Sequence, residues 1–114
     1  MARYIPKQGD LVVVNSDPQS GHEQKGRRPA FVASKTLFNK HTGLAMLCPI
    51  TNTFRNFPFH VALPAESKLT GYIMVEQIKS IDFASRRVKF VEKARKSLLD
   101  AVLGILDACI YDSK

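Results

Sequence analysis

Apolar residues fall in short runs along most of this chain and change their period only near its end. Leu11-Val12-Val13-Val14 is one uninterrupted run and Ala30-Phe31-Val32-Ala33 another. Runs of this length between turn residues predict buried strands over 11–15 and 30–34. Gly9-Asp10 opens the first and Pro29 the second. Asn39-Lys40-His41-Thr42-Gly43 reads as a turn. Leu44-Ala45-Met46-Leu47-Cys48-Pro49-Ile50 predicts a third strand that ends at Thr51, and its proline suggests an edge or a bulge. Asn52 to Asn56 is polar loop, after which Pro58-Phe59-His60-Val61-Ala62-Leu63 alternates as a half-buried strand does. Pro64 to Gly71 is loop, and Tyr72-Ile73-Met74-Val75-Glu76-Gln77-Ile78 predicts a fifth strand with two polar residues near its end. Asp82 to Ser85 reads as a short helical turn and Val88 to Val91 as a last short strand.

The C-terminal segment has helical spacing. Leu98, Leu99, Val102, Leu103, Leu106, Cys109 and Ile110 share one stripe, which predicts a helix over 95–110 lying on the sheet. Gly104 inside it costs up to about 1 kcal/mol against alanine, which suggests close packing there. The expected fold is mainly β with a C-terminal α-helix: a small antiparallel sheet or barrel closed by that helix. With 114 residues the chain is expected to be one domain, 1–114.

Composition narrows the function. The formal charge is +7, from 17 basic and 10 acidic residues, which points to an anionic partner. No apolar run is long enough for a membrane helix, and the N-terminus has no apolar signal core. Cys48 and Cys109 are far apart, lack metal spacing, and read as buried free thiols of a cytosolic protein, with a disulfide the lesser reading. No His/Cys cluster suggests a metal, so no cofactor is expected. His41 and His60 read as surface or strand residues.

The densest chemistry lies in residues 17–29, Asp-Pro-Gln-Ser-Gly-His-Glu-Gln-Lys-Gly-Arg-Arg-Pro. A hairpin seldom needs a connection this long. Donors, an acid/base candidate and fixed positive charge between two buried strands are what a site acting on phosphate requires.

These segments resemble the MazF/PemK/Kid family of bacterial toxins. The matching pieces are Gly9-Asp10, Asp17-Pro18, Gly21-His22-Glu23-Gln24, and Gly26 with Arg28-Pro29, followed by Pro49-Ile50-Thr51, Pro58-Phe59 and Glu76-Gln77-Ile78-Lys79-Ser80-Ile81-Asp82. Each is weak alone; their order and spacing across nearly the whole chain are specific. The resemblance implies an SH3-like barrel of the MazF/PemK/CcdB type, working as a homodimer. It implies a cytoplasmic, sequence-selective endoribonuclease that cleaves single-stranded RNA without a metal, through attack by the substrate's 2′-hydroxyl. The expected ends are a 2′,3′-cyclic phosphate and a 5′-hydroxyl.

By the same resemblance Arg28 and Thr51 form the recurring active-site pair. Arg28 can fork two donors onto a phosphate, and Thr51 can donate its hydroxyl. Residue type alone would read the first as a solvated loop charge and the second as a strand-end turn residue. His22 is a base or acid candidate. Glu23 is either the base or the group that orients Arg28. Gln24 holds the loop or reads a base edge, and Glu76 is a further base candidate that also borders RNA with Gln77. Ser20, Lys79 and Arg86 are expected along the same groove, and Phe54, beside Arg55, as a stacking surface for unpaired bases. Phe57 is read equally as core. The basic run from Lys79 to Lys96 is a solvated face, a track for RNA phosphates or a seat for an acidic MazE-like antitoxin. Operator DNA would be met only through the antitoxin complex. Two other functions fit less well. A CcdB-like topoisomerase poison needs a tryptophan-bearing C-terminus that this chain lacks. A non-catalytic basic RNA-binding module would explain the charge but not the loop beside Thr51.

Overall fold

A computed structural model describes residues 3–15 and 26–112. Among these, seven antiparallel strands and two helices follow the order β1 (Asp10–Asn15), β2 (Arg27–Val32), α1 (Thr36–Thr42), β3 (Leu44–Thr51), β4 (His60–Ala62), β5 (Tyr72–Met74), β6 (Lys79–Asp82), β7 (Lys89–Lys93) and α2 (Lys96–Ile110). The strand path is β4-β5-β3-β2-β1-β7, with β6 also on β3. This is the expected mainly β architecture with a C-terminal helix; the barrel-like sheet is not closed.

The continuous apolar runs are explained by burial on both faces of the sheet. Strand side chains alternate, so Leu11, Phe31, Cys48 and Ile50 face one way and pack with Leu98 and Val102 of α2. Val12, Val14, Ala30, Val32, Ala45 and Leu47 face the other way and pack with Ile81, Phe83 and Val88. Each fully buried side chain of this size contributes about 1.5–3 kcal/mol.

Several local expectations need correction. Residues 36–42 form α1 rather than part of a turn, and Gly43 ends it in the left-handed region at φ 75°. Asn39 is wholly buried: its Nδ2 donates to the Pro6 carbonyl at 2.8 Å and its Oδ1 accepts from the Ser34 hydroxyl at 2.5 Å. β2 begins at Arg27, with Pro29 inside it opposite Val13. Pro49 does not mark an edge, because β3 has neighbours on both sides. Its partner on one side changes from β6, along Leu44–Leu47, to β5, at Ile50–Thr51, and Pro49 falls in the gap. Glu76 and Gln77 belong to a single 3-10 turn after β5, not to the strand. Among the described residues nothing beyond its own helix backbone packs within 4 Å of where a Gly104 side chain would start, so that glycine marks no close approach. Cys109 is exposed; only Cys48 is buried.

Candidate functional site

The register of β1, β2 and β3 builds one end of the second core into a groove. Val14 is opposite Arg28, and Ala30 is opposite Pro49. Two residues further along each strand, past the last β2–β3 pair, come Arg28 and Thr51. Their parity places them on the same face of the sheet. Arg28 is therefore an exposed strand residue flanked by Pro29, with its start point fixed by the β1–β2 ladder.

The groove has a volume of about 460 Å³, and Arg27, Arg28, Thr51, Asn52, Lys79 and Arg86 supply its polar wall. Val14, Ala30, Leu47 and Ile81, the outer members of the second core, form its floor. Lys79 is carried in by β6, where it pairs with Leu47. Arg86 comes from the turn after β6. Its Nη1 donates to the Asn15 carbonyl at 3.1 Å, and its own carbonyl accepts from the Asn15 amide at 2.9 Å. Among the described residues, no carboxylate lines this groove or makes an ion pair with any of its four cations. Four positive charges over an apolar floor, unpaired by any carboxylate among the described residues, form a receptor for an anion.

Thr51 is oriented by its own turn. Its Oγ1 accepts the Thr53 amide at 3.1 Å, which commits a lone pair and leaves the hydroxyl proton for a ligand in the groove.

Glu76 lies apart from this wall. His60 Nε2 meets its Oε2 at 3.0 Å, and the His60 side chain is only 4% exposed. His60 is thus a strand residue with a buried side chain rather than a surface one, and its Nδ1 has no hydrogen-bond partner among the described residues. Glu76 charge adds to burial, the larger cause, in pushing the Cys48 thiol up to about 12. That thiol stays protonated and is no nucleophile at neutral pH.

Phe54 and Arg55 stand in the exposed loop after Thr51. Phe54 is 67% exposed and leans on Tyr72 at 5.5 Å between ring centroids. Phe57 is partly exposed and packs on Phe59 and edge-on to His60, so it belongs to this loop's own cluster and not to the main core. Gln77 is exposed on the 3-10 turn. Of the residues expected along the site, the groove gathers Arg28, Thr51, Lys79 and Arg86, while Phe54, Arg55, Glu76 and Gln77 do not line it. Ser20, His22, Glu23 and Gln24 lie outside the described residues. Arg27, Asn52 and Met74 line the groove without having been singled out from the sequence. Adjacency to Arg28 and Thr51 was the available signal for the first two; nothing local marks Met74. Among the described residues no cluster of three metal-ligating side chains occurs.

Comparisons with known proteins place the chain in a family. A family model described as PemK-like, MazF-like toxin of type II toxin–antitoxin system matches residues 7–110. The endoribonuclease toxin MazF of Escherichia coli is 38% identical over 86 residues, covering 75% of this chain and 77% of that protein. The endoribonuclease toxin ChpB of Escherichia coli is 36% identical over 109 residues, covering 91% and 93%. A crystal structure of MazE-MazF from Deinococcus radiodurans superposes with a TM-score of 0.85 at 37% identity, covering 94% of this chain and 97% of that one.

Proposed function

Because this chain belongs to the PemK-like, MazF-like toxin family of type II toxin–antitoxin systems, and with it to the endoribonucleases, we propose that it cleaves single-stranded RNA without a metal ion. The observation that carries this reading is the groove of four cations and Thr51, which no carboxylate lines among the described residues. The substrate 2′-hydroxyl loses its proton and attacks the adjacent phosphorus. The phosphorus–5′-oxygen bond breaks, and the leaving oxygen takes up a proton. The products are a 2′,3′-cyclic phosphate and a 5′-hydroxyl. Charge that develops on the non-bridging oxygens is met by the Arg28 guanidinium and the Thr51 hydroxyl. Lys79 and Arg86 hold flanking phosphates. Arg28 and its neighbours supply the positive charge that a metal ion supplies in other nucleases.

The proton acceptor and donor come from His22 and Glu23, in the segment tethered between Asn15 and Gly26, with Ser20 and Gln24 beside the substrate. Glu76, held by His60, is the less suitable base. Phe54, Arg55 and Gln77 extend the RNA path beyond the groove, the aromatic ring by stacking on a base.

In the same proposal the chain acts whole, as one toxin domain in the cytoplasm, and as a homodimer. Ile110 and Tyr111, exposed at the end of α2, are apolar surface that a second copy would cover. Its regulator is an acidic MazE-like antitoxin laid over the cationic groove, and operator DNA is met only through that complex; a MazE-MazF complex is the form in which the Deinococcus relative was crystallised. No helix among the described residues is long and apolar enough to cross a membrane.

The test is RNA-end sequencing after incubation with purified protein and EDTA. The expected result is cleavage that leaves 5′-hydroxyl ends. A strict requirement for Mg²⁺, or 5′-phosphate ends, overturns the reading.

A further inference from the structure

Arg28, Lys79 and Arg86 are suited to phosphates, and phosphate contacts carry no sequence information. Among the described residues lining the groove, the only uncharged hydrogen-bonding side chains are Thr51 and Asn52. With Thr51 assigned to the scissile phosphate, Asn52 remains. We propose that Asn52 reads the nucleobase next to that phosphate, and that Thr70 sets the orientation in which it does so. This rests on the reading of the groove as an RNA-cleaving site.

The geometry separates Asn52 from an ordinary surface amide. Its Oδ1 accepts the Thr70 hydroxyl at 2.9 Å. Its Nδ2 has no hydrogen-bond partner among the described residues, so two N–H donors are left for a ligand. The Thr70 support is itself fixed. Gly71 has φ +123°, and a Cβ there would sit 2.4 Å from the Thr51 carbonyl oxygen and 3.1 Å from Asn52 Oδ1. The 70–71 backbone is thus pressed against the 51–52 backbone, where only glycine fits. The Phe54–Tyr72 ring pair stands beside this arrangement, since Tyr72 is the cross-strand partner of Thr51. An unpaired base stacked on such rings offers its edge to a neighbouring side chain. With Oδ1 engaged, that side chain presents donors. The matching edge is one that offers an acceptor: a carbonyl oxygen or a ring nitrogen.

Asn52→Asp is the discriminating variant. It keeps an acceptor for Thr70 but replaces both free donors with an acceptor. Cleavage sites would be mapped on a random-sequence RNA library for wild type, Asn52→Asp, Thr70→Val and Thr70→Ser. In Asn52→Asp, one position of the cleavage motif should change its preference by about tenfold or more, toward bases with an exocyclic amino group, while the other positions hold. Thr70→Val should blur that same position, and Thr70→Ser should restore it. A wild-type motif in Asn52→Asp, whatever its rate, overturns this proposal alone. So does a motif that changes at every position together. A wild-type protein that leaves the library intact overturns the nuclease reading, and this proposal with it.

Discussion

Two hollows in this molecule are both lined by basic residues and treat their charge in opposite ways. The larger is the groove between β1, β2, β3 and β6, where Arg27, Arg28, Lys79 and Arg86 meet no acid among the described residues. The smaller, about 230 Å³, lies where β7 leads into α2 and holds Glu66, Glu92, Lys93 and Arg95. There Arg95 is paired with Glu66, and Lys93 donates to the Gln8 carbonyl at 3.2 Å. Glu92 accepts the Ser67 hydroxyl and, at 2.9 Å, the Lys68 amide. Lys96 pairs with Asp100 at 2.8 Å on the first turns of α2. The net charge of +7 therefore overstates one region and understates the other. The basic run over 79–96 contains two distinct groups: Lys79 and Arg86, which line the larger groove, and Arg95 and Lys96, which are ion-paired within the protein.

The sharpest way to break this contrast is to remove Arg28 from the larger groove. Arg28→Ala should lower the rate of RNA cleavage by about 10²–10³, the usual cost of losing a preorganised donor to a developing oxyanion. Because Arg28 is exposed, the circular dichroism spectrum should match the parent. Near-normal cleavage by the folded variant would remove Arg28 from the site.

Part of this contrast was readable in the sequence. Leu11 to Val14, Ala30 to Ala33 and Leu44 to Ile50 announced β1, β2 and β3 because strands buried on both faces are apolar throughout. The stripe of α2 was equally plain, since Leu98 and Val102 recur at helical spacing. α1 was missed because its single buried side chain is Asn39, a polar residue satisfied by Pro6, distant in sequence, and by Ser34 before the helix. β6 was missed because only Ile81 of its four residues is buried. At the site, the resemblance carried Arg28 and Thr51, and the structure adds that the β2–β3 register sets both on the wall of one groove. Met74 required knowing that β5 lies beside the end of β3, a non-local pairing that no local pattern reports.

A second comparison sharpens the charge argument with a subtler readout. Cleavage should weaken as salt rises, because each phosphate contact releases counterions. Lys79→Ala should raise KM several-fold and flatten the log–log salt dependence by about 0.7, the contribution of one single-strand contact. Arg95→Ala should leave both the slope and KM where they were, since its charge is already engaged by Glu66. Equal changes in the two variants would mean that the whole basic run contacts RNA, and that the two hollows are electrostatically alike.

The smallest effect belongs to the smaller hollow and should appear in stability, not in activity. The Ser67 hydroxyl, then the Lys68 amide, holds the Glu92 carboxyl below the ordinary glutamate value, against a weaker opposing effect of burial. A carboxyl whose folded-state pKa is depressed stabilises the native protein fully above its unfolded pKa, about 4.3. That stabilisation drains away as pH falls through the lower, folded value. Glu92→Gln keeps an oxygen for Ser67 but cannot titrate. Near neutral pH the wild type should therefore melt above the variant, by at most about 2 °C, since an exposed pairing of this kind is well screened. The gap should close as the solution is acidified below the ordinary glutamate range, and cleavage at neutral pH should be unchanged throughout. Melting curves across the acid range decide it. A gap that stays constant down to the most acid sample would show that Glu92 acts there through packing alone. The charge in the smaller hollow would then contribute nothing of its own.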